Sequence, residues 1–242
     1  MPRSTQEKAA AKRTPITTEL LVDTAIDLIE ADGLEALSMR RLADRFGIQA
    51  ASVYWYVASK EHMLDLVVDR LLGLAFETVY VEQIEQRGRE NEPVEEALRR
   101  MAVAYRAFLL GHPDSAKVIS SRLVVGPNLA LLLEPLLELF GRLGMDQRQA
   151  VHASYVLLVY VQGFVLHETA PLSIVSLAPS DERSSTLKQM EEALRSLDPQ
   201  RFPRTRQAAA DLAKPDLPAR FTAGLDRLLD GLVENVGSGS AG

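Results

Sequence analysis

The sequence predicts an all-α protein: an N-terminal helix-turn-helix unit of three helices, followed by a larger helical body. Three observations predict it. Apolar residues recur at i, i+3, i+4 and i+7 between Gly and Pro breaks, and Val, Ile and Thr never alternate with polar residues over a useful length. Two short amphipathic segments meet at Gly47. The second of them displays small and aromatic polar side chains rather than a second apolar stripe.

The elements follow in order. A first helix begins at Thr17 or Thr18, either of which can cap it, and ends at Gly33. At 100° per residue, Leu21, Val22, Ala25, Leu28 and Ile29 fill one sector, and Glu19, Asp23, Asp27 and Glu30 form a solvated opposite face. Ser38 caps a second helix over Met39–Phe46, and a third spans about Ala50–Val57. Ser59 caps a fourth, Lys60–Glu77, with the stripe Leu64, Val67, Val68, Leu71 and Ala75. Longer, more apolar helices are expected over Pro93–Gly111, Asp114–Val125, Pro127–Gly141 and Asp146–Glu168, where Pro135 should kink or split its helix. A proline-punctuated region with a short helix near Thr186–Leu197 precedes a last helix, Pro218–Val236. The divisions are a basic arm at 1–16, the helix-turn-helix unit at 17–62, the body at 63–236 and a Gly/Ser tail at 237–242.

Composition narrows the function. The chain has 242 residues, 47% of them hydrophobic and 25% charged, and no cysteine. That excludes a disulfide framework, a thiolate metal site and a Cys nucleophile, and it suits the cytoplasm. No apolar run reaches about 18 residues, since Gln162 and Gly163 interrupt the longest, so no membrane span is expected. The N-terminus has basic residues but no apolar segment of the signal-peptide kind. Net charge is −6, yet its distribution is uneven: the arm 1–13 has four basic residues and one acidic, and 38–60 has Arg40, Arg41, Arg45 and Lys60 against Asp44 alone.

That local positive charge flanks the helix-turn-helix pattern. Leu42, Ala43, Phe46, Ile48 and Val53 form a small core that sets the interhelical angle. Ala50, Ala51 and Ser52 have little bulk, so the third helix can enter a major groove and touch thymine methyls with one hydroxyl to spare. Arg40 can reach a guanine edge, while Ser38, Tyr54, Trp55, Tyr56 and Lys60 complete the DNA-facing set, with Tyr54, Tyr56 and Lys60 suited to phosphates.

These residues carry a resemblance. Ala25–Gly33, the run Leu37 to Ala43, Phe46-Gly47-Ile48 and the run Ser52 to Val57, followed by Lys60 and Leu64, make Thr17–Leu72 similar to the DNA-binding domain of Tet repressor family regulators. Phe108 to Val118, Gly163 to Leu166, and Phe221, Gly224, Leu225, Gly231 and Leu232 resemble the tetracycline repressor subgroup itself. The resemblance implies a homodimer whose interface is a four-helix bundle of Asp146–Glu168 and Pro218–Val236 from each subunit, with close approach at Gly231. It also implies a double-stranded DNA operator, half-sites roughly 34–36 Å apart, and a small effector that releases the protein.

The resemblance breaks at the effector. Tetracycline repressors hold a tetracycline–magnesium chelate with histidine and acidic side chains, and the matching positions here are Phe76, Ile119, Val159 and His167, with Glu168 one residue out of register. No cofactor or metal is therefore expected. Phe76, Tyr80, Tyr105, Phe108, Ile119, Leu123, Phe140, Tyr155, Val159, Gln162 and His167 are the candidate ligand residues, suited to a small hydrophobic molecule, although any single one of them fits a helical core better than a ligand contact. His152 and His167 lie about 22 Å apart along one helix and cannot share a metal, His112 fits a helix-end cap, and His62 could approach phosphate. No nucleophile elbow, phosphate loop or dinucleotide fingerprint occurs, so an enzyme is not indicated. The alternative is a helical dimer that binds small molecules or proteins without reading DNA sequence.

Overall fold

The computed structural model describes residues 15–81, 92–170, 180–214 and 216–238, and the described residues contain helices and no strand. The basic arm up to residue 14 lies outside them.

The head is assembled by local capping. Helix α1, Thr18–Asp32, starts where Thr17 Oγ1 accepts from the Leu20 amide at 3.2 Å, and it stops at Gly33, whose φ of 85° suits glycine. Helix α2, Met39–Phe46, has Ser38 as its N-cap (Oγ accepts from the Arg41 amide, 3.2 Å), and Gly47 ends it in the left-handed region at φ 62°. Helix α3 covers only Ala50–Val53, shorter than the expected 50–57. Its last amides, at Trp55 and Tyr56, bond back three residues to Ser52 and Val53, which tightens the turn and ends the α-helix. Helix α4, Lys60–Phe76, begins where Ser59 Oγ accepts from the His62 amide at 3.0 Å, and it runs on as a π-helical turn over Glu77–Val81. Leu21, Ala25, Leu28, Leu42, Ala43, Val53, Val57 and Met63 are buried together and hold α1 to α4 in one unit.

The body stacks on the far part of α4. It comprises α5 (Val94–Gly111), α6 (Ser115–Ser120), α7 (Pro127–Arg142), α8 (Gln147–Glu168), α9 (Ser180–Ser196), the short α10 (Pro203–Gln207) and α11 (Ala209–Leu212), and α12 (Leu217–Ser238). Helix α7 is not split by Pro135, because the ring is buried on the same face as Leu132, Leu136, Leu139 and Phe140, and that burial offsets one missing hydrogen bond. Helix α6 is shorter than the expected 114–125: Ser121 bonds back to the carbonyl of Val118 through its Oγ (2.8 Å) and its amide, closing the helix. Residues 122–125 are left as a loop. Helix α8 starts with a reciprocal Asp146–Gln149 capping box. Helix α12 continues through Ser238, so Gly237 and Ser238 belong to it, and 239–242 lie outside the described residues.

Helix α8 corrects one expectation. Its 22 residues, with a mean hydropathy of 1.4 in the most apolar window, are long and apolar enough to cross a membrane by length and composition, since such a window tolerates Gln162 and Gly163. Here α8 packs against α5, α6, α7 and α12, so its inner side is core and only its outer side stands free.

Candidate nucleic-acid interface and helical cavity

The DNA-facing set lies at one end of the molecule. Val53 and Val57 are fully buried and pin the segment from α3 to α4 against α2, so the residues between and around them are forced outward. Trp55 is 88% exposed, Tyr54 51% and Tyr56 39%. An indole that open to water adds little to the core and is free to make contacts. Ala51 is exposed and Ala50 and Ser52 half-buried, which gives α3 a low profile between the aromatic residues and α2.

Among the cations, structure separates two groups. Arg41 is held in the fold by Asp32 and the Ala36 carbonyl. Arg40, at the start of α2, is exposed, and Lys60 stands half-exposed in the first turn of α4; neither has an ion pair among the described residues. Ser38 Oγ is engaged as the α2 cap, and His62 Nδ1 accepts from the Ala58 amide at 3.3 Å, so both are tied to local backbone. The acidic face of α1 is partly neutralised by Arg70, which reaches Asp23 at 3.0 Å.

Behind the head, the segment 114–128 grips it at four points. Asp114 Oδ2 accepts from the Leu34 amide at 2.7 Å, and Lys117 pairs with Glu35 at 3.3 Å. Arg122 bonds Asp65 at 2.7 Å and the Glu61 carbonyl at 3.2 Å, and Asn128 donates to Asp69 at 2.8 Å. Gly126 packs so tightly on Asp69 that a Cβ there would lie 2.3 Å from Oδ1. Helix α4 thus carries the helix-turn-helix unit at one end and is fastened to α6 and α7 along its length.

The other end of α4 borders a cavity. A small apolar gap of about 20 Å³ is lined by Val79, Met101, Ala102, Tyr105, Leu132, Leu136, Leu157, Leu158 and Val161. Of the eleven candidate ligand residues, the Tyr105 ring lines it. Gln162 stands behind: its Nε2 donates to the Tyr105 hydroxyl at 3.0 Å, and its Oε1 accepts from Ser120 at 3.3 Å. Burial pushes the Tyr105 phenol up to about 12, with the Gln162 bond pulling weakly the other way.

The remaining candidates divide. Phe108, Ile119 and Phe140 are buried in the core outside this lining, and Phe76 is half-buried near the end of α4. Leu123 is 91% exposed because α6 ends before it and the loop carries it outward. Tyr155, 68% exposed, and Val159 stand one and two turns after Val151 on the outer side of α8, whereas Leu157, Leu158 and Val161 face inward. His167 is also exposed. The Tyr80 side chain lies outside the described residues. The lining residues that sequence reasoning missed, Val79, Met101, Ala102, Leu132, Leu136, Leu157, Leu158 and Val161, are ordinary aliphatic or small side chains, and helical periodicity marks them only as core. No group of three or more His, Asp or Glu among the described residues is placed to hold a metal ion.

Comparison with known proteins decides the family. Residues 21–67 match the model of bacterial regulatory proteins of the tetR family, and residues 87–236 match the tetracyclin repressor-like C-terminal domain. The HTH-type transcriptional repressor DrrR1 of Streptomyces coeruleorubidus is 30% identical over 227 residues, covering 90% of this chain and 77% of that protein. The chain belongs to the tetR family. An HTH-type transcriptional regulator of Saccharopolyspora erythraea is 28% identical over 163 residues, 67% of this chain and 65% of that protein. The tetR family protein ActR of Streptomyces coelicolor, solved in complex with actinorhodin, superposes with a TM-score of 0.77 at 28% identity, covering 93% of this chain and all of that one. As a tetR-family member the chain is a helix-turn-helix transcriptional regulator and not an enzyme.

Proposed function

We propose that this regulator is a homodimeric repressor that binds a pseudo-palindromic operator and leaves it when a small hydrophobic effector enters the body. The division into a reading head at 17–62 and an effector-binding and dimerising body at 63–236 belongs to this reading, as does a cytoplasmic location. The observation that carries it is the double role of α4: Lys60 and the exposed Tyr54–Tyr56 aromatics stand at one end, and Val79, just beyond the other end, borders the cavity. DrrR1 is named a repressor, and ActR is solved with a small organic molecule bound, which agrees with the reading.

The cavity volume gives the mechanism its direction. Ligand pockets of drug-sized molecules enclose about 300–1,000 Å³, so a gap of about 20 Å³ must widen to admit one. Widening separates α7 from α5 and α8, and α7 is the helix α4 packs against most. Arg122 and Asn128 pass that movement to Asp65 and Asp69 on α4. The spacing of two heads in a dimer then departs from the roughly 34–36 Å that adjacent half-sites require. By linkage, DNA must weaken effector binding by the same factor that effector weakens DNA binding.

The test is in vitro selection from a random duplex pool with the purified full chain, at two salt concentrations. A single recovered pseudo-palindrome, bound with a steep salt dependence but undiminished sequence preference, is the expected result. Recovery of no motif, with binding lost at the higher salt, would replace the reading with a helical ligand-binding or protein-binding dimer.

A further inference from the structure

Two serines are buried among the described residues, Ser115 and Ser154. The Ser115 hydroxyl donates to the Leu109 carbonyl at 3.3 Å. The Ser154 hydroxyl, in the first half of α8, has no hydrogen-bond partner among the described residues. A hydroxyl on a helix ordinarily turns back to the carbonyl four residues earlier. Those of Thr24, Thr78 and Thr222 do so here, at 2.7, 2.9 and 3.1 Å. Ser154 leaves the equivalent carbonyl, that of Ala150, alone. A buried hydroxyl without a partner lowers stability, and an alanine in its place would not.

Its place on α8 ties it to the cavity. Leu157, Leu158 and Val161 are the α8 residues that line the gap, and Ser154 precedes them by three, four and seven positions. At 100° per residue it falls between Leu157 and Leu158 and about 20° from Val161, one turn (roughly 5 Å) nearer the helix start. Helix α7 packs along α8 and buries Leu132 and Leu136, which also line the gap. Moving α7 away from α8 to widen the gap therefore uncovers the Ser154 hydroxyl at one end of the enlarged pocket. The surrounding lining is aliphatic apart from the Tyr105 ring, whose hydroxyl Gln162 already engages, and no Asp, Glu, Lys, Arg or His lines the gap. A charged molecule would lose its hydration there with no counter-charge in return. A pure hydrocarbon would leave the hydroxyl as unpaired as before.

We propose that the effector is an uncharged, largely apolar molecule with a carbonyl or hydroxyl oxygen at one end, and that Ser154 Oγ hydrogen-bonds that oxygen, an inference that rests on the proposed release by a small hydrophobic effector. Ser154 then tells an oxygenated molecule from its hydrocarbon parent. A hydroxyl unpaired in the closed protein gains more from such a bond than one the fold already satisfies.

The experiment measures displacement of the neutral dye N-phenyl-naphthylamine from the full-length protein and from Ser154→Ala. The competitors are two matched sets: fluorene, fluorenone and fluorenone carboxylate, and xanthene, xanthone and xanthone carboxylate. In wild type the better-binding ketone should exceed its parent by about tenfold and its carboxylate by at least as much. Ser154→Ala should bring the ketone-to-parent ratio to within about twofold and leave the affinity for the parent unchanged. Urea unfolding without any competitor should show Ser154→Ala no less stable than wild type, because the hydroxyl it removes has no partner. Equal binding of ketone and parent by wild type overturns the inference, and so does a ketone advantage that survives in Ser154→Ala, which would place the oxygen elsewhere. A carboxylate that binds best overturns it too, as does a destabilised Ser154→Ala, which would mean that the fold satisfies the hydroxyl. All four leave the effector reading intact. A wild-type protein that takes up neither the dye nor any competitor removes that reading, and the inference falls with it.

Discussion

Arg40, Arg45 and Lys60 are cations of the head with no ion pair among the described residues, and Arg40 and Lys60 stand in the first turns of different helices. In the proposed reading of DNA the Arg40 guanidinium reaches a base edge, and Lys60, at a helix start, contacts phosphate. Arg40→Ala should therefore relax preference at one base pair by about 1–3 kcal/mol. Lys60→Ala should weaken all sequences alike and make the salt slope shallower by about one. Base-resolved titrations that found the same profile for both variants would refute the division. Inside the body, Tyr160 Oη donates to the Phe221 carbonyl at 2.7 Å and stands 2.4 Å from where a Cβ on Gly224 would lie. Gly224→Ala should cost about 1–3 kcal/mol from overpacking, read by urea unfolding. Adding Tyr160→Phe removes the nearest atom but leaves ring carbons 3.2 and 3.3 Å from the added Cβ, so Gly224→Ala should cost less in that background than in wild type. Tyr105 gives a pH signature. Its folded pKa of about 12 exceeds the ordinary phenol value of 10, so its contribution is whole below pH 10 and disappears as pH rises towards 12. Tyr105→Phe should flatten that alkaline loss of stability, and an unchanged alkaline limb would show that another group causes it.

At the scale of elements, what was legible in the sequence is what the backbone settles locally. Thr17, Ser38, Gly47, Ser59 and Asp146 each bound a helix through bonds to residues within a few positions, and each boundary could be read from residue type alone. The early ends of α3 and α6 could not, since apolar periodicity continues past both and the backbone turns because of where Val57 and Arg122 must dock. Helix α8 shows the limit most clearly. Apolar residues surround it, so the pattern could not say that Tyr155 and Val159 face out while Leu157 and Val161 face in. The junction at Asp114 was equally hidden, because its partner is 80 residues away. Asp114 has φ 62°, a strained region for a non-glycine residue, and its carboxylate satisfies the Leu34 amide between α1 and α2. Asp114→Ala loses the bond and keeps the strain, and should cost more than Asp114→Gly, which loses the bond and relieves the backbone. Asp114→Asn, retaining an acceptor and tolerance of φ > 0, should cost least. Thermal unfolding of the three variants tests that order, and equal losses for Ala and Gly beside a small loss for Asn would mean the bond carries everything.

Across the whole molecule, the arrangement is a reading head and a body joined by one continuous helix, with an apolar surface left over. Val151, Tyr155, Val156 and Val159 are exposed along the outer part of α8, while the Tyr160–Phe221 stack joins α8 to α12, Arg99–Asp226 ties α12 to α5, and Arg106 of α5 pairs with Glu168 of α8 and lies over the Phe221 ring. A row of branched and aromatic side chains along one helix is costly to leave in water, and in the proposed homodimer α8 and the neighbouring α12 of each copy would supply a four-helix interface. In the proposed homodimer that face would be buried in a second copy, which accounts for α8 being apolar on both sides. A charge there should divide association from folding. Tyr155→Asp places a carboxylate in the interface without touching the inner face of α8, so the variant should keep its helical circular dichroism. It should sediment as a monomer at micromolar concentration, where wild type sediments as a dimer. Operator affinity should fall with it, because one head contacts one half-site and the second contact becomes bimolecular. A folded Tyr155→Asp that remains dimeric would move the interface elsewhere. A wild-type monomer that still binds a palindrome would leave the outer face of α8 to some other partner.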